Sequence, residues 1–226
     1  MKRSLKQILS ELKSLSNEEN VKGMARFGIN SKNTLGISIP NLRRIAKTIG
    51  KDHTLAQKLW KSGIHEARIL AAFIDVPEMV TENQMEKWVT EFDSWDICDQ
   101  VCGNLFDKTS FVFDKITEWT RHDEEFVKRA GFVLMASLAV HDKKADNKKF
   151  IPFLKIIKRE AADNRNFVRK AVNWALRQIG KRNAALNKSA ISAALEIQKI
   201  DEKAAKWIAA DALKELKSHG VKKRLK

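Results

Sequence analysis

Residues 126–130 read Phe-Val-Lys-Arg-Ala, and residues 167–171, 41 positions later, read Phe-Val-Arg-Lys-Ala. A weaker echo, Lys-Trp-Ile-Ala, follows at residues 206–209, and an earlier one, Glu-Ala-Arg-Ile-Leu-Ala-Ala, stands at residues 66–72. A motif that returns after about forty residues indicates a structural unit repeated along the chain. This repeat is the feature of the sequence that predicts the fold.

Around the repeat, the sequence is patterned for helices. Apolar residues near the start recur every three or four positions, at Leu5, Ile8, Leu9, Leu12 and Leu15. Pro40 suits the first turn of a helix that Gly50 would end, and Thr81 followed by Gln84 resembles a capping box. Only three prolines and nine glycines interrupt the chain, and no convincing run alternates with period two. The pattern therefore predicts helices joined by short turns, without a sheet.

Helical pairs that repeat every forty or so residues are typical of HEAT-like proteins. Such pairs bury their apolar faces only by stacking on their neighbours, which builds a solenoid with a long concave surface. We therefore predict an all-α, right-handed α-solenoid, an alpha-alpha superhelix of about twelve helices in antiparallel pairs. Residues 1–226 would form a single HEAT-like repeat domain, with a basic C-terminal tail at about residues 217–226.

The charge of the chain is strongly positive and unevenly distributed. With 43 Lys and Arg against 28 Asp and Glu, the net charge is +15. Residues 155–188 hold ten basic and two acidic residues, whereas residues 75–99 hold eight acidic residues and one lysine. This segregation predicts one basic face and favours a polyanion such as nucleic acid as partner, although a high pI also suits a merely solvated surface.

The two cysteines, Cys98 and Cys102, are too few for a disulfide framework, and we predict that they are reduced core residues. No export signal opens the sequence, and no apolar run is long enough to cross a bilayer. We therefore expect a cytoplasmic protein that associates with the nucleoid when it is on DNA, makes no membrane contact and is a monomer.

Each clear repeat carries a basic pair at the same helical position. Stacking would bring Lys128 and Arg129 beside Arg169 and Lys170 and so build a basic stripe for phosphates. The alternatives are that such pairs are simply solvated, or that the repeats bind a protein. We add Arg43 and Arg44, in the helix predicted near Pro40, to the expected DNA-binding residues; this list is Arg129, Lys128, Arg169, Lys170, Arg43 and Arg44.

The residues that point to chemistry are Trp95 and Asp99, which lie four positions apart and so on one face of a helix. Asp99 has the alternative role of a surface acid paired with a nearby arginine. Trp174 lies four positions after Lys170 and shares its face, although burial in the core is the better interpretation of this residue considered alone. The other tryptophans within apolar stripes are predicted to be core residues: Trp60, Trp88, Trp119 and Trp207.

An ordered set of short stretches resembles the alkylpurine DNA glycosylases of the AlkD type, which are built from HEAT-like repeats. The resemblance covers nearly the whole chain, and it is carried by residues 23–29, 36–40, 65–68, 95–100 and 173–183. Two positions depart from some members of the family, which have Tyr in place of Phe27 and Gln in place of Ser38.

The resemblance implies a function and a set of residues for it. The catalytic carboxylate of the family falls on Asp99, its two tryptophans on Trp95 and Trp174, and its phosphate-binding arginine on Arg129. The family hydrolyses the N-glycosidic bond of N3- and N7-alkylated purines in double-stranded DNA, without metal, cofactor or base-fitting pocket. An alkylated purine of this kind is already cationic, so it leaves as a neutral base, and the carboxylate stabilises the developing sugar cation.

Two other functions remain open from the residues alone. The same basic stripe would serve a non-catalytic binder of damaged or branched DNA, although such a binder would gain nothing from an acid at position 99. A helical scaffold for an acidic protein is the third possibility, and salt-dependent duplex binding would separate it from the other two. The five histidines are scattered, which disfavours a metal enzyme.

Overall fold

The computed structural model describes residues 3–225, so Met1, Lys2 and Lys226 lie outside the described residues. Within that range the chain forms fourteen α-helices and three short 3₁₀ turns, with no β-strand. The prediction of an all-α protein is confirmed, with two helices more than the expected twelve. The chain divides between Phe111 and Val112 into two compact units, unit 1 and unit 2, which are described separately.

Unit 1 contains seven α-helices. They are α1 (Leu5–Ser14), α2 (Glu18–Arg26), α3 (Ile39–Ile49), α4 (His53–Lys61), α5 (His65–Ile74), α6 (Glu82–Thr90) and α7 (Trp95–Asn104), with 3₁₀ turns at Pro77–Met79 and Phe106–Lys108. Helices α3, α5 and α7 pack side by side in one layer, and α4 packs against α5 from the other side. This is the paired arrangement that the repeat predicted.

The helix boundaries in unit 1 follow the predicted signals. Helix α3 has Pro40 in its first turn and ends at Gly50, whose φ of 77° is a left-handed conformation that favours glycine. At the start of α6, the Thr81 hydroxyl accepts from the Gln84 N–H at 3.2 Å. The Gln84 side chain does not complete a capping box, because its amide donates to the buried Asp75 carboxylate at 2.7 Å.

The core of unit 1 is built on stacked aromatic rings. The indoles of Trp60 and Trp88 lie parallel with their centroids 4.0 Å apart, and the rings of Phe92 and Phe106 extend the cluster. Both tryptophans are buried, as predicted. Such rings bury large apolar areas, so the cluster fixes α4 against α6.

A buried carboxylate holds the segment between α2 and α3 in place. Glu66, in the first turn of α5, is fully buried and accepts from the backbone N–H groups of Leu35 at 2.8 Å, Gly36 at 2.7 Å and Ile37 at 3.2 Å. Gly36 has a φ of 77°, and a Cβ there would collide with the carbonyl oxygen of Asn17. The segment is therefore clamped between the starts of α2 and α5.

Unit 2 contains the remaining helices, in two layers. They are α8 (Val112–Trp119), α9 (Glu125–His141), α10 (Ile151–Arg159), α11 (Asn166–Gly180), α12 (Ala184–Ile197), α13 (Lys203–Leu216) and α14 (His219–Arg224), with a 3₁₀ turn at Asn147–Lys149. Helices α9, α11 and α13 pack in sequence in one layer, and α10 and α12 pack together in the other. The predicted tail starts at Lys217, directly after α13, and its described part contains α14, in which Val221 is buried.

The 41-residue repeat corresponds to the contact between α9 and α11. The rings of Phe126 and Phe167, the first residues of the two repeated motifs, have centroids 5.5 Å apart. Gly131 allows α9 to approach α8 closely, because a Cβ there would lie 2.6 Å from Cγ2 of Thr120. Equivalent positions of successive repeats thus become neighbours in space.

Candidate nucleic-acid interface

Helix α7 carries the predicted catalytic pair in unit 1. Trp95 is its first residue, Asp99 follows one turn later, and both side chains are half-buried. The indole Nε1 of Trp95 donates to the carbonyl oxygen of Phe27 at 3.1 Å, which fixes the ring. A held indole and a carboxylate therefore share one helical face, as the spacing of four residues predicted.

Two further contacts anchor the start of α7. The buried Ser94 hydroxyl accepts from the backbone N–H of Asn30 at 2.8 Å, so it holds the neighbouring segment rather than capping its own helix. Oδ2 of Asp96 is hydrogen-bonded to Nε2 of the buried His65 at 2.8 Å. Burial opposes the charged form of His65, but the hydrogen bond and charge of Asp96, with Glu66 and Asp93, outweigh it and raise the pKa of His65.

Apolar hollows lie beside Trp95. A cavity of about 270 Å³ is lined by Met24, Ile29, Ile37, Ser38, Ile39, His65, Ile69, Trp95, Asp96 and Gln100. A second hollow, of about 640 Å³, is also lined by Trp95, and its lining includes Phe27, whose side chain is 73% exposed. Asp99 lines neither of these two hollows in the described part of unit 1. The departures at Phe27 and Ser38 thus fall on the rim of a surface that includes the first candidate tryptophan.

Arg43 and Arg44 are both exposed on α3. The Arg43 guanidinium lies 5.0 Å from the ring centroid of Phe73, and its Nη2 donates to Oδ1 of Asn104 at 3.4 Å. It borders a hollow of about 250 Å³ that Lys51 and Lys108 also line. Sequence reasoning missed these two lysines, because they are 57 positions apart and belong to no repeated motif.

The cations around this hollow repel one another. Burial, followed by the charge of Lys108, lowers the pKa of Lys51, although Asp75 and Glu78 act in the opposite direction. The Lys51 ammonium donates to the carbonyl oxygens of Phe73 at 3.1 Å and Asp75 at 2.6 Å. An anion would relieve the repulsion, and Lys51 and Lys108 are basic groups beside Arg43 that the predicted DNA-binding set of unit 1 did not include.

In unit 2, the four predicted cations of the basic stripe occupy different environments. Lys128 is only 12% exposed and pairs with Glu160 at 2.5 Å and Asp163 at 3.2 Å. Arg129 is 6% exposed, and its Nη1 donates to the carbonyl oxygen of Phe167 at 2.6 Å, so it joins α9 to α11. Lys170 is exposed, and Arg169 is half-buried.

Lys128 is thus part of a structural ion-pair group rather than a free cation. Burial opposes ionisation of Asp163, but hydrogen bonds from Arg165 and Lys128 outweigh it and lower the pKa of Asp163. A phosphate would have to displace these carboxylates to reach Lys128. The prediction that Lys128 belongs to a basic stripe for phosphates is therefore corrected, because Glu160 and Asp163, from the chain between α10 and α11, neutralise it.

Carboxylates also neutralise several of the ten basic residues between positions 155 and 188. Glu196 pairs with Lys158, and Glu215 accepts from Arg177 at 2.5 Å and Lys181 at 2.6 Å. Among the described residues, the cations of this segment that are exposed and make no ion pair are Lys155, Lys170 and Lys188. Of these three, Lys170 lies on the layer of α9, α11 and α13.

The tryptophans of unit 2 divide into three environments. Trp119 is fully buried, as predicted, and Trp174 is half-buried one turn after Lys170 on α11. Trp207 was predicted to be a core residue, and that prediction is wrong, because its side chain is 40% exposed. The guanidinium carbon of Arg169 lies 5.2 Å from the centroid of its ring, a cation–π contact that joins α11 to α13.

Both cysteines are buried in α7 and form no disulfide, as predicted. Burial and the hydrogen bond to Cys98, with smaller contributions from Asp99 and Asp107, raise the pKa of Cys102 well above its usual value. A thiol in this state is a poor nucleophile. Within residues 3–225, no group of three or more potential ligand side chains is placed to hold a metal ion, and no helix is both long and apolar enough to span a bilayer.

The fold and these surfaces define a HEAT-like helical-repeat protein with basic groups in both units. The model of the DNA alkylation repair enzyme family matches residues 8–216, and the chain belongs to that family.

A solved structure shares this fold. It is described as a new family of proteins related to the HEAT-like repeat DNA glycosylases with affinity for branched DNA structures. Its TM-score is 0.78 at 19% identity, over 92% of this chain and 94% of that one, which confirms the predicted fold class. No curated protein matches the chain.

Proposed function

We propose that the protein is a DNA glycosylase that releases N3- or N7-alkylated purines from double-stranded DNA. The observation that carries the proposal is the half-buried carboxylate of Asp99, one helical turn from the anchored indole of Trp95. An acid on the working face of a basic protein weakens attraction to phosphate, so its presence favours chemistry over affinity. Membership in the DNA alkylation repair enzyme family supports the same conclusion.

The reaction requires few catalytic groups from the protein. An N3- or N7-alkylated purine carries a positive charge and leaves as a neutral base, so no general acid is required. As the bond between the sugar and the base breaks, positive charge develops on the sugar, and Asp99 would stabilise that charge and orient the attacking water. Indole faces attract cations, and the family resemblance assigns this role to Trp95 in unit 1 and, separately, to Trp174 in unit 2.

The affinity for DNA would come from backbone phosphates. In this proposal Arg43 and Arg44 in unit 1, and Arg129, Arg169 and Lys170 in unit 2, contact or position the phosphates. Such contacts carry no sequence information, so binding should be independent of sequence and strongly dependent on salt. No metal or cofactor takes part, and the protein acts as a monomer in the cytoplasm.

The test is the substitution Asp99→Asn, assayed by release of N7-methylguanine from duplex DNA. Asn has nearly the same shape without the charge, so base release should fall by on the order of 10²–10³ while duplex binding is unchanged or slightly tighter. Asp114→Asn, an exposed acid on α8, is the matched control and should retain full activity. Thermal unfolding of both variants checks that neither change disturbs the fold.

Release of the base at the wild-type rate by Asp99→Asn would remove Asp99 from the mechanism. The second candidate function is a non-catalytic binder of branched DNA. The specific observation behind it is the description of the structural neighbour, which reports affinity for branched DNA structures. A wild-type protein that binds a four-way junction more tightly than a duplex, and releases no alkylated base, would establish this alternative.

A further inference from the structure

In α13, a lysine and a tryptophan stand in place of the two basic residues of the repeated motif. In each of α9, α11 and α13, two buried residues flank two positions in the same register: Val127 and Ala130, Val168 and Ala171, Ala205 and Ile208. The flanked positions are largely buried in α9 and become accessible at Lys170 in α11 and at Lys206 and Trp207 in α13. The pairs at these positions are Lys128-Arg129, Arg169-Lys170 and Lys206-Trp207. Trp207 therefore occupies the position that carries a cation in the two preceding repeats.

This indole is accessible, and one guanidinium lies against its ring. Trp207 is 40% exposed, whereas three of the other tryptophans are almost completely buried. Arg169 covers part of its ring at 5.2 Å, and Arg169 makes no ion pair among the described residues. Lys170 is exposed on the adjoining helix, and Lys206 pairs with Asp201 at 2.5 Å. Isolated surface aromatics are common, whereas Trp207 combines the register of the repeat with a guanidinium against its ring.

An indole in place of a cation suits a different part of a nucleic acid. It has no charge for a phosphate, but it offers a flat face on which a nucleobase can stack. Bases within a duplex are already stacked on their neighbours, so only an unpaired base is available. An aromatic ring beside cations is the combination by which proteins bind single-stranded nucleic acid, because the cations hold the backbone while the ring takes the base.

We propose that Trp207, backed by Arg169, is a stacking site for an unpaired base where a DNA duplex opens into single strand. The layer of α9, α11 and α13 would hold duplex phosphates at Lys170 and take the first unpaired base at Trp207. The inference rests on the proposed binding of DNA and is independent of glycosylase chemistry. It also supplies a physical reason for a preference for branched or frayed DNA over intact duplex.

The test uses the full chain and three DNA probes of related sequence. These are a blunt duplex, the same duplex with a short single-stranded extension, and the extended strand alone, with 2-aminopurine at the first unpaired position. The wild-type protein should bind the extended duplex more tightly than the blunt one and quench the 2-aminopurine. Trp207→Leu should weaken binding to the extended duplex about 5- to 10-fold, with blunt duplex affinity nearly unchanged and the quenching lost.

Two further variants make the result specific. Trp207→Phe keeps an aromatic face and should recover most of the preference and of the quenching. Leu195→Ala removes a side chain of similar exposure, 43%, from α12 and should change neither measurement. Thermal unfolding should show intact folds, since both positions are partly exposed.

The inference and the proposed function fail in different ways. Absence of salt-dependent binding to the blunt duplex would refute the proposed function, and the extended strand alone still tests the stacking site by its quenching. Equal affinity for blunt and extended duplexes, or quenching that survives Trp207→Leu, would overturn the inference. An equal loss of binding to all three probes in Trp207→Leu would overturn it as well, because the indole would then contact DNA generally.

Discussion

The substitution Glu66→Gln tests the three hydrogen bonds by which Glu66 holds residues 35–37 near Trp95. Glu66 is fully buried, and its Oε1 accepts from Gly36 and Ile37 while its Oε2 accepts from Leu35. Residues 36–38 line the apolar hollow that also contains Trp95. The carboxylate therefore connects the stability of unit 1 to the geometry of the candidate site.

The expected loss follows from the three hydrogen bonds. Gln keeps one acceptor oxygen but places an N–H₂ group where the other oxygen stood, so at least one backbone N–H faces another donor. A buried donor without a partner costs about 1–3 kcal/mol, and the remaining bonds weaken because their acceptor is no longer charged. Removing a buried charge recovers some desolvation energy. We expect a net loss of about 2–4 kcal/mol in the free energy of unfolding.

The assay is thermal unfolding followed by circular dichroism. For a chain of this size, the loss corresponds to a fall in Tm of roughly 5–12 °C. Glu202→Gln, an exposed acid before α13, is the matched control and should leave Tm unchanged. A Tm of Glu66→Gln equal to that of the wild type would refute this prediction, since it would mean that the three hydrogen bonds of Glu66 contribute nothing to the free energy of unfolding.

Two further predictions concern charge. His65 has a raised pKa, so its contribution to stability is complete below the unfolded value of 6.5 and is lost as pH rises through the folded pKa. Asp96→Asn should lower the pKa of His65, because the hydrogen bond and charge of Asp96 are lost while burial remains, and this pH dependence should weaken. NMR titration of the imidazole measures the change, and an unaltered titration would contradict the assignment. Lys170→Ala should reduce the slope of log Kd for duplex DNA against log salt by about 0.9. Lys188→Ala, an exposed lysine on α12, should alter the slope less, and equal effects of the two variants would mean that binding does not favour the layer of α9, α11 and α13.

Much of the candidate site in unit 1 could be predicted from spacing alone. Trp95 and Asp99 share a helical face because they are four residues apart, and the structure places both on α7. The partners that orient them could not be predicted in this way. The carbonyl of Phe27 that holds the Trp95 indole is 68 positions away in sequence, and the periodicity of one helix carries no information about such a neighbour.

The sequence by itself determined the helical class of this protein, the register of its repeats and most of its core. The reason is that these properties depend on local periodicity, which the spacing of apolar residues records directly. Trp60, Trp88 and Trp119 lie in apolar stripes and are buried accordingly.

Only the tertiary structure decided which polar and aromatic residues are available to a ligand. Lys128 and Lys170 belong to the same repeated motif, yet Glu160 and Asp163 neutralise the first and leave the second exposed. Trp207 follows the same apolar pattern as the buried tryptophans, yet its position on the outer edge of α13 leaves it accessible beside Arg169. Availability depends on neighbours that the fold brings from distant parts of the chain, because charge pairing and burial act through space and not along the sequence.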